Sequence, residues 1–408
     1  MPRSARSAQS VESHEHIGTA VTALAVRLLD AWAVRPGGST AEPPSDPGVP
    51  ILAASVHGTG APGADESAAR AVAVWARAAG RGPGHRGLYD GGLAGTLVGL
   101  RLGARVQPRL HAAADRLRDH LVRSAPAGLR SREQLTFPDY DLMVGPSGIL
   151  LALCAGTRPA PREIQPFAGY LAALCDADDL PRLRTMGYAG HPHLDWLDGR
   201  INTGLGHGVA GVVVALTAAV RRLGPDPGLQ RALRHATGWL IRQSFVDGRA
   251  IRTWDGAGLD GPPPAAPRAR QAWCYGTPGV SWALWNAADA TGDTDTATWA
   301  AAAFTTLAER YDEGFHLFGD RPSDLLGLCH GAAGALAVAD AFDRHAALPA
   351  AADLKARLIT HLGARLPAVE ALGTECMGLL GGAAGPLCAL LTSLQGASRA
   401  WLPCLALR

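Results

Sequence analysis

The sequence predicts an all-α protein, an α/α toroid (barrel) of inner and outer helices built from six or seven helical-hairpin repeats. Two observations carry this prediction. A Gly-x-x-Gly step opens an uncharged, apolar stretch at six places, and an amphipathic stretch follows each of the first five. No segment reads convincingly as part of a sheet.

The Gly-x-x-Gly steps recur at comparable intervals, with successive spacings of 53, 63, 68, 55 and 51 residues. A single step of this kind carries almost no information, but six of them indicate a repeated structural unit. The apolar stretches that they open are typical of helices buried on every side. The steps begin at Gly92, Gly145, Gly208, Gly276, Gly331 and Gly382.

The outer helices are predicted from apolar residues at helical spacing with Arg, Asp or Glu between them. The sixth step lies too near the C-terminus to be followed by a partner of its own. Two earlier stretches, 17–32 and 66–79, are expected to begin the ring. The five amphipathic stretches are 112–123, 161–175, 228–244, 294–310 and 351–366.

Two-helix repeats either stack as an open superhelix or close into a ring. The chemically unusual residues all precede the N-termini of inner helices, so closure would bring them together at one end. This convergence favours the barrel. Residues 1–408 are then expected to form a single domain, with a Pro/Gly-rich irregular segment at about 33–65. Long loops at 180–204 and 247–272 are expected to build a substrate groove.

Composition excludes several classes of function. Lys and Arg total 38 against 36 Asp and Glu, and no basic stripe is interleaved with aromatic residues, so no nucleic-acid partner is expected. The N-terminus lacks the apolar core of a secretion signal, and the seven cysteines are an odd number, so we expect a cytoplasmic protein without a disulfide framework. The uncharged run 376–398 resembles a membrane span. Similar runs recur, however, and indicate buried helices rather than an integral membrane protein.

Three repeats carry thiol or imidazole groups just before the inner helix. These are GLGHGVAG with His207, AWCYGTPG with Cys274, and LCHGAAG with Cys329 and His330. Two thiols and one imidazole suit Zn²⁺, and three protein ligands leave one tetrahedral position open, as in catalytic sites. The alternative is a set of buried cysteines with small neighbours.

The same residues carry a resemblance to a known family. The runs WCYGTPG (273–279) and CHGAAG (329–334) resemble the zinc-binding signatures of the lanthionine cyclase (LanC) family. The resemblance covers roughly residues 88–390. It implies an α/α toroid whose Zn²⁺ is held by Cys274, Cys329 and His330.

Three further positions match that family. GLGHG is similar to its histidine motif, although Gly206 stands where alanine is more usual, and Asp141 and Arg270 match its aspartate and arginine. The chemistry of thiol addition makes His207 the best candidate to move protons, and Asp141 could orient or charge it. Tyr275 and Arg270 would then donate hydrogen bonds to an enolate oxygen.

Each of these residues also has a plainer interpretation. His207 could cap a glycine-rich turn and Asp141 a helix, while Tyr275 and Arg270 could brace their loop. His191 and His193 could form a second metal site, but an exposed polar loop explains them at least as well.

The implied function is a zinc-dependent cyclase that adds cysteine thiolates of a dehydrated precursor peptide to dehydroalanine or dehydrobutyrine, with a dehydratase as partner. One alternative is a LanC-like regulatory protein that binds glutathione or a peptide. The other is a zinc thiol-alkylating enzyme of the prenyltransferase type, which the adjacent Cys and His at 329–330 disfavour.

Overall fold

The computed structural model describes residues 3–35, 45–79, 84–125, 129, 134–259 and 270–408. Within these ranges nearly all regular structure is helical, and the one sheet has two strands. The predicted all-α class is therefore confirmed.

Seven helices of the described chain form a closed inner ring. Each packs against the next in sequence, and the last packs against the first. The predicted number of six or seven repeats is confirmed at its upper value. In chain order the inner helices are Gly48–Val56, Leu93–Gly103, Pro146–Cys154, Val209–Leu223, Thr277–Thr291, Ala332–Ala346 and Ala384–Leu394.

An outer helix packs against each inner one. The N-terminal helix Arg3–Ala33 packs against the last inner helix, Ala384–Leu394, and so supplies the partner that the sixth step lacks in sequence. The two ends of the chain thereby close the ring together. The outer helices are Arg3–Ala33, Ala64–Ala78, His111–Arg123, Pro161–Leu174, Pro227–Arg242, Thr294–Arg310 and Pro349–Gly363. Short helices at Glu313–His316, Pro322–Leu326 and Leu366–Glu375 lie in the connections.

The glycine steps allow each loop to fold back over the start of its helix. A Cβ at Gly279 would lie 2.1 Å from the carbonyl oxygen of Trp273, and one at Gly334 would lie 2.0 Å from that of Leu328. Gly276 also has a φ of 79°, a left-handed conformation that costs other residues free energy. The loop residues are therefore pressed against the first helical turn.

The prediction of an irregular segment at 33–65 is wrong for its second half. The helix Gly48–Val56 lies there, buried along nearly its whole length. The prolines misled the prediction: Pro47 precedes the helix and Pro50 lies in its first turn, where no backbone N–H is needed. Residues 36–44 lie outside the described part of the chain.

The two strands, Phe245–Val246 and Arg252–Thr253, form a small antiparallel hairpin in the long loop before Cys274. Asp247 Oδ1 accepts hydrogen bonds from the amides of Arg249 and Ile251, both at 2.9 Å. An Asp-Gly turn is a hairpin signal, but strands of two residues show no pattern in sequence. Residues 260–269 of this loop lie outside the described ranges.

The C-terminal segment 399–408, which we call the plug, fills the interior of the ring. Leu402, Cys404 and Leu405 are at most 2% exposed. Its carbonyl groups accept hydrogen bonds from side chains on different parts of the ring. These bonds are Tyr89 Oη to Cys404 O (2.6 Å), Trp273 Nε1 to Leu405 O (2.8 Å) and Trp282 Nε1 to Ala406 O (2.9 Å).

The plug enters and leaves the ring at the end opposite the glycine steps. Ala400 O accepts a hydrogen bond from the amide of Gly156, just beyond the C-terminal end of an inner helix. Arg408 O accepts from Arg399 Nη2 at 2.8 Å and from His345 Nε2 at 3.1 Å, near the end of another. Because Tyr89 and Trp273 precede inner helices, the plug spans the ring from one end to the other.

None of the helices in the described part of the chain is both long and apolar enough to span a lipid bilayer. The uncharged run 376–398 contains only the helix Ala384–Leu394, which is buried in the inner ring. The interpretation of this run as a buried helix is confirmed.

Candidate metal centre and active site

The loops that precede the inner helices meet at one end of the ring, as the barrel prediction requires. Backbone hydrogen bonds join neighbouring loops, and they bring the loops of Asp141, His207 and Cys274 side by side. These bonds are Leu88 N to Met143 O (3.0 Å), Leu142 N to Gly206 O (3.1 Å), Leu205 N to Cys274 O (2.8 Å) and Leu328 N to Leu380 O (3.0 Å).

Cys274, Cys329 and His330 form a cluster at this end. One potential ligand atom from each lies within 4.8 Å of the others, and this is the one such group of three among the described residues. Cys274 is buried, while Cys329 and His330 are partly exposed. Three converging donors that open towards solvent on one side fit a metal ion with a fourth, exchangeable position.

The two thiols hold each other in different protonation states. The hydrogen bond with Cys274, together with the hydrogen bond and charge of His330, lowers the pKa of Cys329 to about 5 against the opposing effect of burial. Burial, together with the neighbouring Cys329, raises the pKa of Cys274 well above its usual value. The cluster thus favours a thiolate beside an imidazole, which are donors that borderline-soft divalent metals prefer.

His207 pairs with Asp141 next to this cluster. Its Nδ1 lies 2.6 Å from Asp141 Oδ2, and its ring stacks on Phe137 with centroids 4.8 Å apart. Burial raises the pKa of Asp141, and the hydrogen bond with His207 opposes that effect. Because Nδ1 is engaged by the carboxylate, Nε2 is the ring atom available to a substrate. His207 lies close enough for its charge to lower the pKa of Cys329.

Tyr275 offers a hydroxyl group beside the thiols. Asn202 Nδ2 donates to its oxygen at 3.0 Å, so the hydroxyl proton remains available to another acceptor. Burial raises the pKa of Tyr275, which keeps this group protonated at neutral pH. Tyr275 is therefore suited to donate a hydrogen bond.

Arg270 braces its loop. Nη1 donates to the carbonyl oxygen of Phe318 at 3.2 Å, and the guanidinium carbon lies 4.3 Å from the centroid of the Phe318 ring. Its charge nevertheless acts on Cys274, where it partly opposes the rise in pKa that burial causes. Arg270 therefore has the bracing contact and also an electrostatic effect on the cluster.

The model of the lanthionine synthetase C-like protein family matches residues 70–406. The chain belongs to this family. All seven predicted site residues lie within the matched range. No curated protein matches the chain at a significant level.

Among solved structures, the family member is similar to one titled "Nisin cyclase", with a TM-score of 0.72 and 20% sequence identity. The match covers 88% of this chain and 90% of the other. The likeness shows that the two chains share the α/α toroid fold.

Sequence reasoning missed two residues of this site. Asp324 Oδ1 lies 3.2 Å from His330 Nδ1, and its other oxygen accepts the amide of Arg321 at 3.3 Å. A carboxylate that bonds one ring nitrogen of a metal-binding histidine orients it. Phe137, which stacks on His207, is the second. Its position six residues before His330 could have suggested Asp324 as a partner of that histidine. Nothing in the sequence pairs Phe137 with His207.

His191 and His193 are exposed, and His191 Nδ1 accepts the amide of His193 at 3.2 Å. Their loop belongs to no cluster of potential metal ligands among the described residues. The interpretation as an exposed polar loop accounts for both.

Proposed function

We propose that the chain is a zinc-dependent lanthipeptide cyclase, which adds cysteine thiolates of a dehydrated peptide to dehydroalanine or dehydrobutyrine to form thioether rings. One observation carries the proposal: a Cys–Cys–His cluster stands beside a histidine that a buried carboxylate orients. Membership of the lanthionine synthetase C-like family and the fold shared with nisin cyclase support it.

Cys274, Cys329 and His330 would hold Zn²⁺, with Asp324 orienting His330. When bound, the metal's positive charge favours the thiolate form of a substrate cysteine, whose pKa is otherwise about 8.5. The partly exposed side of the cluster, at Cys329 and His330, is where the peptide would approach.

The reaction needs one proton removed and one delivered. The sulfur forms a bond to the β-carbon, the π electrons move through the α-carbon onto the carbonyl oxygen, and a proton then adds to the α-carbon. His207 would take the thiol proton or supply the α-proton through Nε2. Asp141 would hold its ring in place. The overall addition conserves every atom.

The developing charge on the carbonyl oxygen requires a hydrogen-bond donor. Tyr275 keeps its proton and is held by Asn202, so it would donate at this position. Arg270 would contribute positive charge from behind the cluster. Because the substrate must already contain dehydrated serine or threonine, a dehydratase would have to act first.

The test incubates the purified chain with a dehydrated precursor peptide. Cyclisation leaves the mass unchanged, so free thiols are counted by alkylation and mass spectrometry against an enzyme-free control. Loss of thiols with wild type, but not with Cys274→Ala, is the expected result, together with about one Zn²⁺ per chain.

A chain that binds zinc and the peptide but closes no ring faster than the control would contradict the proposal. That outcome would favour the peptide-binding regulatory alternative. Isothermal titration with the same peptide, and with glutathione, distinguishes the two.

A further inference from the structure

At the metal-binding end of the ring, the plug is bonded to the residue next to Cys274. Trp273 Nε1 donates to Leu405 O at 2.8 Å, and both residues are fully buried. Trp273 immediately precedes Cys274 in the chain. The plug is therefore one residue away from the most buried donor of the cluster.

Trp273 has little freedom to move independently of Cys274. A Cβ at Gly279 would lie 2.1 Å from its carbonyl oxygen, and one at Gly334 would lie 2.8 Å from its own Cβ. Its ring also meets Tyr89 edge to face, with centroids 6.5 Å apart. A shift of the indole is thus transmitted to the backbone that carries the Cys274 thiol.

Tyr89 forms a second connection between the plug and the Trp273 ring. Its hydroxyl donates to Cys404 O at 2.6 Å, so neighbouring carbonyl groups of the plug bind the two rings that touch each other. The plug holds this aromatic pair beneath the Cys274 loop.

We propose that the plug positions Cys274 for metal binding, and that Trp273 is the positioning residue through which it acts. The proposal rests on the assignment of Cys274 as a ligand in the proposed function. It concerns a segment that contributes no ligand and lies on the inner side of the cluster.

Trp282 provides a matched control within the same chain. Its Nε1 donates to the next plug carbonyl, Ala406 O, at 2.9 Å, and its side chain is also fully buried. Trp282 lies within the inner helix, eight residues beyond Cys274. Both bonds tie the plug to the ring, but only the bond of Trp273 adjoins the cluster.

The experiment compares Trp273→Phe with Trp282→Phe in the full chain. Each substitution keeps an aromatic ring and removes one buried N–H donor, so both should lower the Tm by a few degrees at most. Zinc affinity is measured by competition with a chelator. Only Trp273→Phe should weaken it, by roughly 10-fold, the lower end of the range for groups that orient metal ligands.

A second measurement needs no metal. The amide of Leu205 donates to Cys274 O at 2.8 Å, so its hydrogen exchange reports the position of the Cys274 backbone. This amide should exchange faster in metal-free Trp273→Phe than in metal-free wild type. Its exchange rate in metal-free Trp282→Phe should equal that of the wild type.

Equal effects of the two substitutions on zinc affinity and on Leu205 exchange, or no effect of either, would overturn the proposal and leave the plug a purely structural element. Failure of the proposed function is a separate result. A wild type without cyclase activity would refute the function, while the contrast between the two variants would still decide the role of the plug.

Discussion

Asp141 divides its two carboxylate oxygens between His207 and its own turn. Oδ2 lies 2.6 Å from His207 Nδ1, while Oδ1 accepts the amides of Val144 and Gly145 at 2.9 and 2.7 Å. The side chain is completely buried. Both amides precede the helix Pro146–Cys154, so Asp141 braces the turn before this helix and is not its N-cap. Its contact with His207 is the one that the proposed role requires.

His207→Asn should keep the fold and the zinc but slow cyclisation by roughly 10²–10⁴-fold, the usual contribution of a general acid–base group. The reason is that Nε2 is lost while the three proposed metal ligands remain. Rates are measured by thiol alkylation, with enzyme-free addition subtracted. His193→Asn, at an exposed position of a neighbouring loop, is the control and should have wild-type activity.

Loss of zinc from His207→Asn would identify His207 as a ligand and reopen the assignment of His330. Full activity with zinc retained would place the proton donor elsewhere, with Tyr275 as the next residue to test.

Asp141→Asn and Asp141→Ala should separate the two roles of this carboxylate. The amide oxygen of Asn can still accept the turn amides, so we expect near-normal stability with reduced cyclisation. Ala leaves both amides unpaired and should also lower the free energy of unfolding by about 1–3 kcal/mol. Denaturant unfolding and the cyclisation assay measure the two effects. Equal stability of the two variants would show that the turn does not depend on Oδ1.

The metal-free chain should show one unusually reactive cysteine at low pH. Only the thiolate is nucleophilic, so with a pKa of about 5 the alkylation rate of Cys329 should rise through pH 5 and level off above it. Burial raises the pKa of Cys154, which is also partly exposed, to about 11, and its rate should still be rising at pH 8. Iodoacetamide labelling followed by peptide mass spectrometry gives both profiles. A Cys329 profile that climbs in parallel with that of Cys154 would contradict the thiol pairing.

Each pair of neighbouring loops at the glycine-step end of the ring forms a contact that we call a joint. Removing zinc should weaken one joint more than the others. No backbone–backbone hydrogen bond joins residues 270–276 to residues 327–331, both fully described, whereas the Cys274 and Cys329 thiols are hydrogen-bonded to each other. A bound metal would bridge this joint. Chelation should therefore speed amide exchange at Cys329 more than at Leu142, which donates to Gly206 O in an intact joint. Equal protection at both amides after chelation would show that the metal does not bridge the loops.

Much of the fold could be predicted because glycines mark the start of the inner helices in the sequence. Gly145, Gly208 and Gly331 each immediately precede an inner helix, since only glycine fits where the loop folds back over the first turn. Equivalent positions in a closed ring face one another. The grouping of Cys274 with Cys329 followed from that symmetry.

What sequence could not predict depends on contacts between distant segments. The plug has no helical periodicity, and its burial follows from bonds to side chains such as Trp273, more than 120 residues earlier. Asp324 and Phe137 gain their roles only when separate loops come together. The helix Gly48–Val56 was missed for a local reason, because its prolines were counted without regard to position.

Ring closure by the two chain ends has a consequence during synthesis. The helix Arg3–Ala33 finds its inner partner, Ala384–Leu394, only after about 360 further residues have been made. It packs against Ala64–Ala78 soon after synthesis, but at roughly 5–20 residues per second the surface that Ala384–Leu394 covers waits for roughly 20–70 s. Until then the ring lacks its last inner helix and cannot close, whatever repeats have already stacked. Ribosome-associated chaperones would be expected to bind this first helix, and a ribosome stalled before codon 384 would hold a chain unable to close.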